Sequence, residues 1–150
     1  MQILLFELDD RLFGLPVGSV AEVLRAVLIT PLPGAPAAVE GAIDVRGTVV
    51  PVLDVRARFE LPPRPVRVSD RLIVVERGDG RAALRVGKVR EVEEIEPEAV
   101  DAGTPFVAGV ATLPDGLVLI HDPETFLSSA ESAELARVLP DALPASDDAG

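Results

Sequence analysis

Asp44, Arg46, Asp54 and His121 are the residues whose types and positions could support chemistry. Asp44 and Asp54 lie in one predicted hairpin, where two carboxylates could act as a general acid and a general base. The alternative is structural: Asp44 is a strand-face charge that pairs with Arg46, and Asp54 caps a turn. We favour the structural interpretation, because nothing else in the chain suggests a sugar or phosphate site and there are only five aromatic residues.

The other elements of catalytic or cofactor sites are missing from the sequence. His121 is the only histidine and has no cysteine or serine near it in the chain, so we interpret it as a structural or surface residue. Without cysteine the chain has neither disulfides nor thiolate metal sites, and a single histidine cannot form the histidine cluster of a usual zinc site. Gly87-Lys88 lacks the spacing of a P-loop, and Gly78-x-Gly80 lacks the third glycine of a dinucleotide-binding turn. We predict no enzymatic activity, no catalytic residue, no cofactor and no metal.

The charge of the chain is strongly uneven. The net charge is −11 over 150 residues, yet residues 46–90 carry 11 basic and 5 acidic side chains, and residues 91–150 carry 1 and 14. A basic segment can indicate nucleic-acid binding, but this one offers only Phe59 for base stacking and no helix for the major groove. We therefore predict no nucleic-acid partner. Patches of opposite charge can instead orient protein partners.

The N-terminal segment does not resemble a signal peptide, because it lacks a basic start and reaches acidic residues within the first ten positions. The longest uncharged stretch, residues 26–39, is interrupted by three prolines, which excludes a transmembrane helix. We expect a cytoplasmic protein without direct membrane insertion.

These residues are set in about ten short strands separated by turn residues, which predicts an all-β barrel or sandwich. The central hairpin spans residues 41–54, with Asp44 and Arg46 on its less buried face. We also predict a helical turn within 17–24, a strand at 26–29 and a helical turn at 37–40. The spacing Ser128-x-x-Glu131 is a capping box and predicts a C-terminal helix.

Two adjacent predicted strands form a specific combination: an apolar strand that ends in Arg46-Gly47, and the Val-Pro-Val-x-Asp strand that ends at Asp54. Further distinctive stretches follow one another along the chain: Leu12 to Val17, Val20 to Val23, Pro31 to Pro36, Arg71 to Val75, Leu84 to Val86, Val89 to Val92, Gly109 to Ala111 and Leu117 to Asp122. In these residues and in their order, the sequence resembles the CheW-like chemotaxis coupling proteins. The resemblance covers roughly residues 2–138.

The resemblance implies two packed five-stranded SH3-like barrels and a short C-terminal helix. The CheW-like domain is expected to cover residues 1–138, with a break between lobes near 62–70 and with the N-terminal strand as a candidate to be shared between them. Residues 139–150 are expected to form a disordered acidic tail.

The resemblance also implies a non-catalytic adaptor. Such an adaptor couples the cytoplasmic tip of methyl-accepting chemoreceptors to the regulatory domain of a CheA-type histidine kinase, and is recruited from the cytoplasm to membrane receptor arrays. By position, Glu22 and Arg46 are expected to pair with one another. The residues expected at the kinase interface are Val20, Glu22, Gly41, Asp44 and Arg46. Leu15 and Val17 are candidates to line an apolar groove for the receptor tip, or equally good core residues.

Three residues depart from the pattern of the family. Asp44 stands where asparagine is usual, Gly87 replaces a typical aspartate, and His121 occupies an ordinarily aliphatic strand position. These departures leave open an alternative function, in which the chain is a diverged regulatory module of a parallel chemosensory pathway and binds only one of the two partners.

Overall fold

The computed structural model describes residues 1–25, 28–78, 80–99, 106–114 and 116–139. These residues form ten strands: β1 (Gln2–Leu8), β2 (Arg11–Pro16), β3 (Val20–Arg25), β4 (Val39–Val45), β5 (Thr48–Leu53), β6 (Arg71–Arg77), β7 (Gly80–Val86), β8 (Lys88–Glu94), β9 (Val107–Leu113) and β10 (Gly116–His121). The helices are α1 (Val55–Arg58) and α2 (Ser129–Val138), and single 3₁₀ turns cover Val17–Ser19 and Pro123–Thr125.

The strands form two five-stranded sheets. The first has the order β8-β1-β2-β10-β9 and the second the order β3-β6-β7-β5-β4. In the first sheet, an isolated bridge between Glu98 and Val110 joins the segment after β8 to β9 at the opposite edge. In the second sheet, a bridge between Thr30 and Ala42 joins the segment after β3 to β4 at the opposite edge. Each sheet therefore curls toward closure, which confirms the predicted all-β architecture with two five-stranded units.

The predicted break between lobes near residues 62–70 is wrong. These residues connect α1 to β6, and the strands on both sides of them belong to the second sheet. The chain passes between the sheets at Val17–Ser19 and again at Gly87. β1 pairs with β2 and β8, which both lie in the first sheet, so it is not shared. The prolines of segment 62–70 make a rigid loop, but they do not determine which sheet the next strand joins.

The predicted tail lies outside the described residues from position 140 onward.

The core has three parts, and β1 belongs to two of them. Ile3 and Leu5 face the interior of the first barrel, whereas Leu4, Phe6 and Leu8 face a larger cluster between the two sheets. A third cluster fills the second barrel. Because successive side chains of a strand point to opposite faces, a strand buried on both sides is apolar along nearly its whole length. This packing joins the two barrels through a shared apolar layer.

Three local predictions differ from the structure. Only Val17–Ser19 is helical in the stretch 17–24, and residues 20–25 form β3, whose burial alternates along the strand. Pairing with β6 satisfies the backbone there. In the predicted strand 26–29, residues 26 and 27 lie outside the described residues and Leu28 and Ile29 are not in a strand. The helical turn predicted at 37–40 is a short turn followed by the start of β4.

The C-terminal helix and its capping box are confirmed. The Ser128 hydroxyl accepts a hydrogen bond from the Glu131 amide at 3.1 Å, and the Glu131 carboxylate accepts one from the Ser128 amide at 2.9 Å. Leu135 anchors the helix in the cluster between the sheets. Neither this helix nor α1 has the length and apolar character needed to cross a lipid bilayer, and the described residues contain no other α-helix.

Candidate protein-interaction site

Arg46 lies in the tight turn between β4 and β5 rather than on a strand. Val45 pairs with Thr48, so the loop consists of Arg46 and Gly47 alone. Both residues have positive φ, +50° and +87°, which defines the type I′ turn that matches the twist of a hairpin. Glycine is favoured at the first of these positions because it has no Cβ, and asparagine because its short polar side chain can hydrogen-bond locally; other residues are strained there. Arg46 was predicted to lie on a strand face, so its strained backbone was not expected from the sequence.

Asp44 stabilises this turn. One of its carboxylate oxygens accepts a hydrogen bond from the Gly47 amide at 2.7 Å. The side chain is exposed, and its contact is with the backbone of the turn. Asp44 is thus a strand residue that caps the hairpin, and asparagine could make the same bond without the negative charge.

Arg46 and Glu22 form an ion pair across the seam of the second barrel. Glu22 is on β3 and Arg46 follows β4, and these strands are the two edges of the sheet. The Arg46 guanidinium donates to the Glu22 carboxylate. This hydrogen bond lowers the pKa of Glu22 and raises the pKa of Arg46. The Arg46 side chain is 68% exposed, so the pair contributes little to stability and its donors remain accessible to a partner.

Gly41 and Val20 occupy less accessible places. Gly41 is buried, and a Cβ there would come within 2.3 Å of the Thr30 carbonyl oxygen. It therefore permits the bridge between Thr30 and Ala42 that closes the barrel. Val20 is half-buried and packs against the cluster between the sheets.

Of the five residues predicted at the kinase interface, Glu22, Asp44 and Arg46 come together at the hairpin tip. Gly41 lies about 13 Å along β4 from Val45.

The two residues predicted for a receptor groove differ in exposure. Leu15 is fully buried in the cluster between the sheets and presents no surface to a partner. It is a core residue, because β2 is apolar on the face that packs between the barrels. Val17 is 36% exposed in the 3₁₀ turn where the chain first passes from one sheet to the other.

The hypothesis of an acid and base pair is contradicted by the positions of its two carboxylates. Asp44 lies opposite Val49 near the hairpin tip, whereas Asp54 follows Leu53 at the other end of β5. The five residues from Val49 to Asp54 span about 16 Å, too far for two carboxylates that share one substrate bond. Asp54 instead caps α1, where it accepts a hydrogen bond from the Ala57 amide at 3.1 Å.

His121 is a core residue. It is fully buried between the rings of Phe59 and Phe126, with ring centroids at 5.6 Å and 5.2 Å. Its Nδ1 lies 3.1 Å from the Phe106 carbonyl oxygen, and its Nε2 has no hydrogen-bond partner among the described residues. Burial lowers the pKa of His121 to about 4. A neutral imidazole that solvent cannot reach confirms the structural interpretation.

A network of buried charges was not predicted from the sequence. Arg85 points from β7 into one end of the second barrel, where its Nε lies 3.0 Å from Glu40 and its Nη1 lies 3.1 Å from Asp70. Burial alone would raise the pKa of Asp70, but hydrogen bonds from the Arg67 amide, Arg64 and Arg85 lower it below its usual value. The excess of arginine in residues 46–90 was the available signal, but the sequence does not show which of these arginines meet a carboxylate inside the fold.

Comparison with known proteins shows the relationship of the chain to a defined family. The family model described as the CheW-like domain matches residues 2–131. The chain belongs to the CheW-like domain family. Its relatives include the chemotaxis protein CheW of Treponema pallidum, 23% identical over 91% of this chain and 88% of the relative. Protein PilI of Pseudomonas aeruginosa is 33% identical over 70% of this chain and 64% of its own length.

A solved structure supports the same conclusion for the fold. The scaffolding protein TtCheW from Thermoanaerobacter tengcongensis superposes with a TM-score of 0.76 and 33% sequence identity, over 87% of this chain and 94% of TtCheW. The CheW-like chain is thus a scaffolding or coupling protein of the chemotaxis class.

Proposed function

We propose that this CheW-like chain is a non-catalytic adaptor that couples the cytoplasmic tip of chemoreceptors to the regulatory domain of a CheA-type histidine kinase. The observation that carries the proposal is Arg46. It is a large charged residue held in the left-handed conformation at an exposed hairpin tip, and Glu22 fixes its guanidinium. Strain of this kind persists where a side chain serves a function that stability does not require.

The proposed kinase surface is the hairpin tip formed by Glu22, Asp44 and Arg46. In an exposed ion pair each side chain holds the other in one orientation, but solvent and a partner can still reach both charges. Such a pair can therefore orient a partner that carries complementary charges. Val20 would extend this surface along β3. Gly41 would act through the backbone, because it sets the closure of the barrel beneath the tip.

The receptor is proposed to bind at the junction of the two barrels, near Val17. A chemoreceptor tip is helical, and a helix can be held in a groove by apolar anchors. Val17 offers an apolar side chain where the chain passes between the sheets. Recruitment of a cytoplasmic adaptor to membrane receptor arrays would follow from this contact.

The first experiment is to measure binding of the protein to the regulatory domain of a CheA-type kinase from the same organism. We expect Arg46→Ala to weaken binding about fivefold or more, which corresponds to about 1 kcal/mol. Arg137→Ala provides the matched control, because Arg137 is exposed on α2 and carries no part of the proposed surface. If the protein and both variants bind the kinase equally well, the hairpin tip is not the interface.

Asp44→Asn tests the role of the added charge. The amide oxygen can keep the hydrogen bond to the Gly47 amide, so the turn is preserved and only the charge changes. Tighter kinase binding by this variant would favour the alternative function, in which the chain has diverged at the kinase contact. That alternative also requires that the protein bind only one of the two partners, the receptor tip or the kinase.

A further inference from the structure

A charged pocket lies where the two sheets meet. It has a volume of about 520 Å³ and is formed by the end of β1, the start of β8 and the loop that leads into β6. It is at the end of the second barrel that holds Glu40 and Asp70, whereas the turn at Arg46 is at the other end of β4. None of the residues proposed to contact kinase or receptor lines it.

The three carboxylates that line the pocket are already paired with arginine. The closest pairs are Glu7 with Arg90 at 3.8 Å, Asp9 with Arg56 at 2.9 Å, and Asp70 with Arg64 at 3.0 Å and Arg85 at 3.1 Å. Hydrogen bonds from Arg56, and the nearby charges of Arg64 and Arg67, lower the pKa of Asp9. The negative charges at this site are thus matched by positive ones.

Three further basic side chains in the lining form no ion pair within 4 Å of a carboxylate among the described residues, although the charge of Arg67 still acts on Asp9. Arg71 donates only to the backbone carbonyls of Ser69 and Asp70, at 3.2 and 3.0 Å. The side chains of Arg67 and Lys88 are exposed and make no polar contact with any described residue. The described lining therefore holds four basic and three acidic side chains, a net charge of +1 on a protein whose net charge is −11, and its carboxylates are already paired.

The shape and lining of the pocket define the class of ligand. The volume is in the range of small-molecule sites, about 300 to 1,000 Å³. No aromatic side chain lines it, so a nucleobase would have no ring to stack on. Arginine forks and a lysine ammonium suit phosphate oxygens. Gly87 also lies in the lining and adds no charge to it.

We propose that this pocket binds a small anion that carries two or more phosphate groups. Arg67, Arg71 and Lys88 would bind its oxygens, while the paired arginines behind them hold the walls of the pocket in place. Because binding uses no residue of the hairpin tip, the proposal is independent of the coupling function.

The test is calorimetric titration of the full chain with inorganic tripolyphosphate in buffers of matched ionic strength. We expect saturable binding that weakens with added salt. Arg67→Gln and Lys88→Gln should each reduce the affinity about fivefold, since each removes one charge-assisted contact. Both side chains are exposed and have no hydrogen bond or ion pair with a described residue, so the variants should unfold close to the temperature of the unmodified protein.

Arg137→Gln removes the same charge from α2, far from the pocket in sequence and outside its lining, and should leave the affinity unchanged. An equal loss in this control would mean that tripolyphosphate responds to overall charge, which would overturn the proposal. Absence of binding at millimolar tripolyphosphate would also overturn it. So would tighter binding of a polyglutamate peptide of matched charge, because the pocket would then be a contact for an acidic protein segment.

Discussion

Replacing His121 with leucine should make the protein less sensitive to acid. The imidazole is fully buried and its pKa in the folded protein is about 4, whereas the ordinary value is 6.5. Between these values the unfolded chain binds one more proton than the folded chain. The contribution of His121 to the free energy of unfolding is therefore fully present above about pH 6.5 and is lost as the pH falls toward 4.

The magnitude follows from the difference in pKa. About 2.5 pH units at about 1.4 kcal/mol each give a loss of about 3 kcal/mol by pH 4, of which about 2 kcal/mol is lost by pH 5. Leucine does not titrate, so the variant lacks this component. The Phe106 carbonyl keeps a second donor, the Asp122 amide at 2.9 Å, so the variant leaves no unpaired carbonyl.

Urea unfolding of both proteins from about pH 7.5 to about pH 4.5 measures the effect. Carboxyl groups with lowered pKa values, such as Asp70 and Glu131, also cost stability in acid, but they do so in both proteins and cancel in the difference. A difference in unfolding free energy that does not change with pH would refute the reasoning. Because the chain has one histidine, NMR gives its titration directly, and a midpoint near 6.5 in the folded protein would refute it as well.

Gly41→Ala should destabilise the second barrel by about 2 kcal/mol, because the new Cβ would come within 2.3 Å of the Thr30 carbonyl oxygen. Thermal unfolding measures the loss, and faster amide exchange at Thr30 would locate it at the closing bridge. Arg85→Met should cost about 3 kcal/mol in urea unfolding, since it leaves the Asp70 and Glu40 carboxylates together without their shared partner. Adding Asp70→Asn to that variant should restore part of the stability.

Gly18→Ala is the control for the first of these changes, because a Cβ at Gly18 meets no atom within 4 Å. Its stability should stay within about 0.5 kcal/mol of the unmodified protein. An equal loss in both glycine variants would show that the effect is not the contact with Thr30. If Arg85→Met were as stable as the unmodified protein, the charge network would not support this end of the barrel.

Local features of the sequence predicted the local structure well. The central hairpin and the capping box at Ser128 both appear where they were expected. Each of these depends on residues within about ten positions of one another. The stretch 20–25 is one exception, because its apolar spacing fits a helix while the partner that makes it a strand, β6, is about fifty residues away.

The candidate site was predicted in part. The pairing of Glu22 with Arg46 followed from the family resemblance, and the structure contains that pair. The left-handed conformation of Arg46 was not predicted, because arginine is not a residue that signals a type I′ turn. Leu15 could not be assigned from the sequence, since an apolar residue on a strand has the same local pattern whether it lines a groove or the core. For His121 the sequence left open whether a structural residue lies in the core or at the surface.

The sequence by itself determined most strands and turns, the helix cap and membership in the CheW-like family, because each of these depends on residues that are close together in the chain. Only the tertiary structure decided which strands share a sheet, where the chain passes between the barrels and which charges meet. Strand pairing joins residues that are far apart in the chain, as β1 does with β8. The alternation of apolar and polar residues shows which face of a strand is buried, but not which strand pairs with it. The pocket between Lys88 and Arg67 therefore could not be predicted, because it forms only when both barrels have folded.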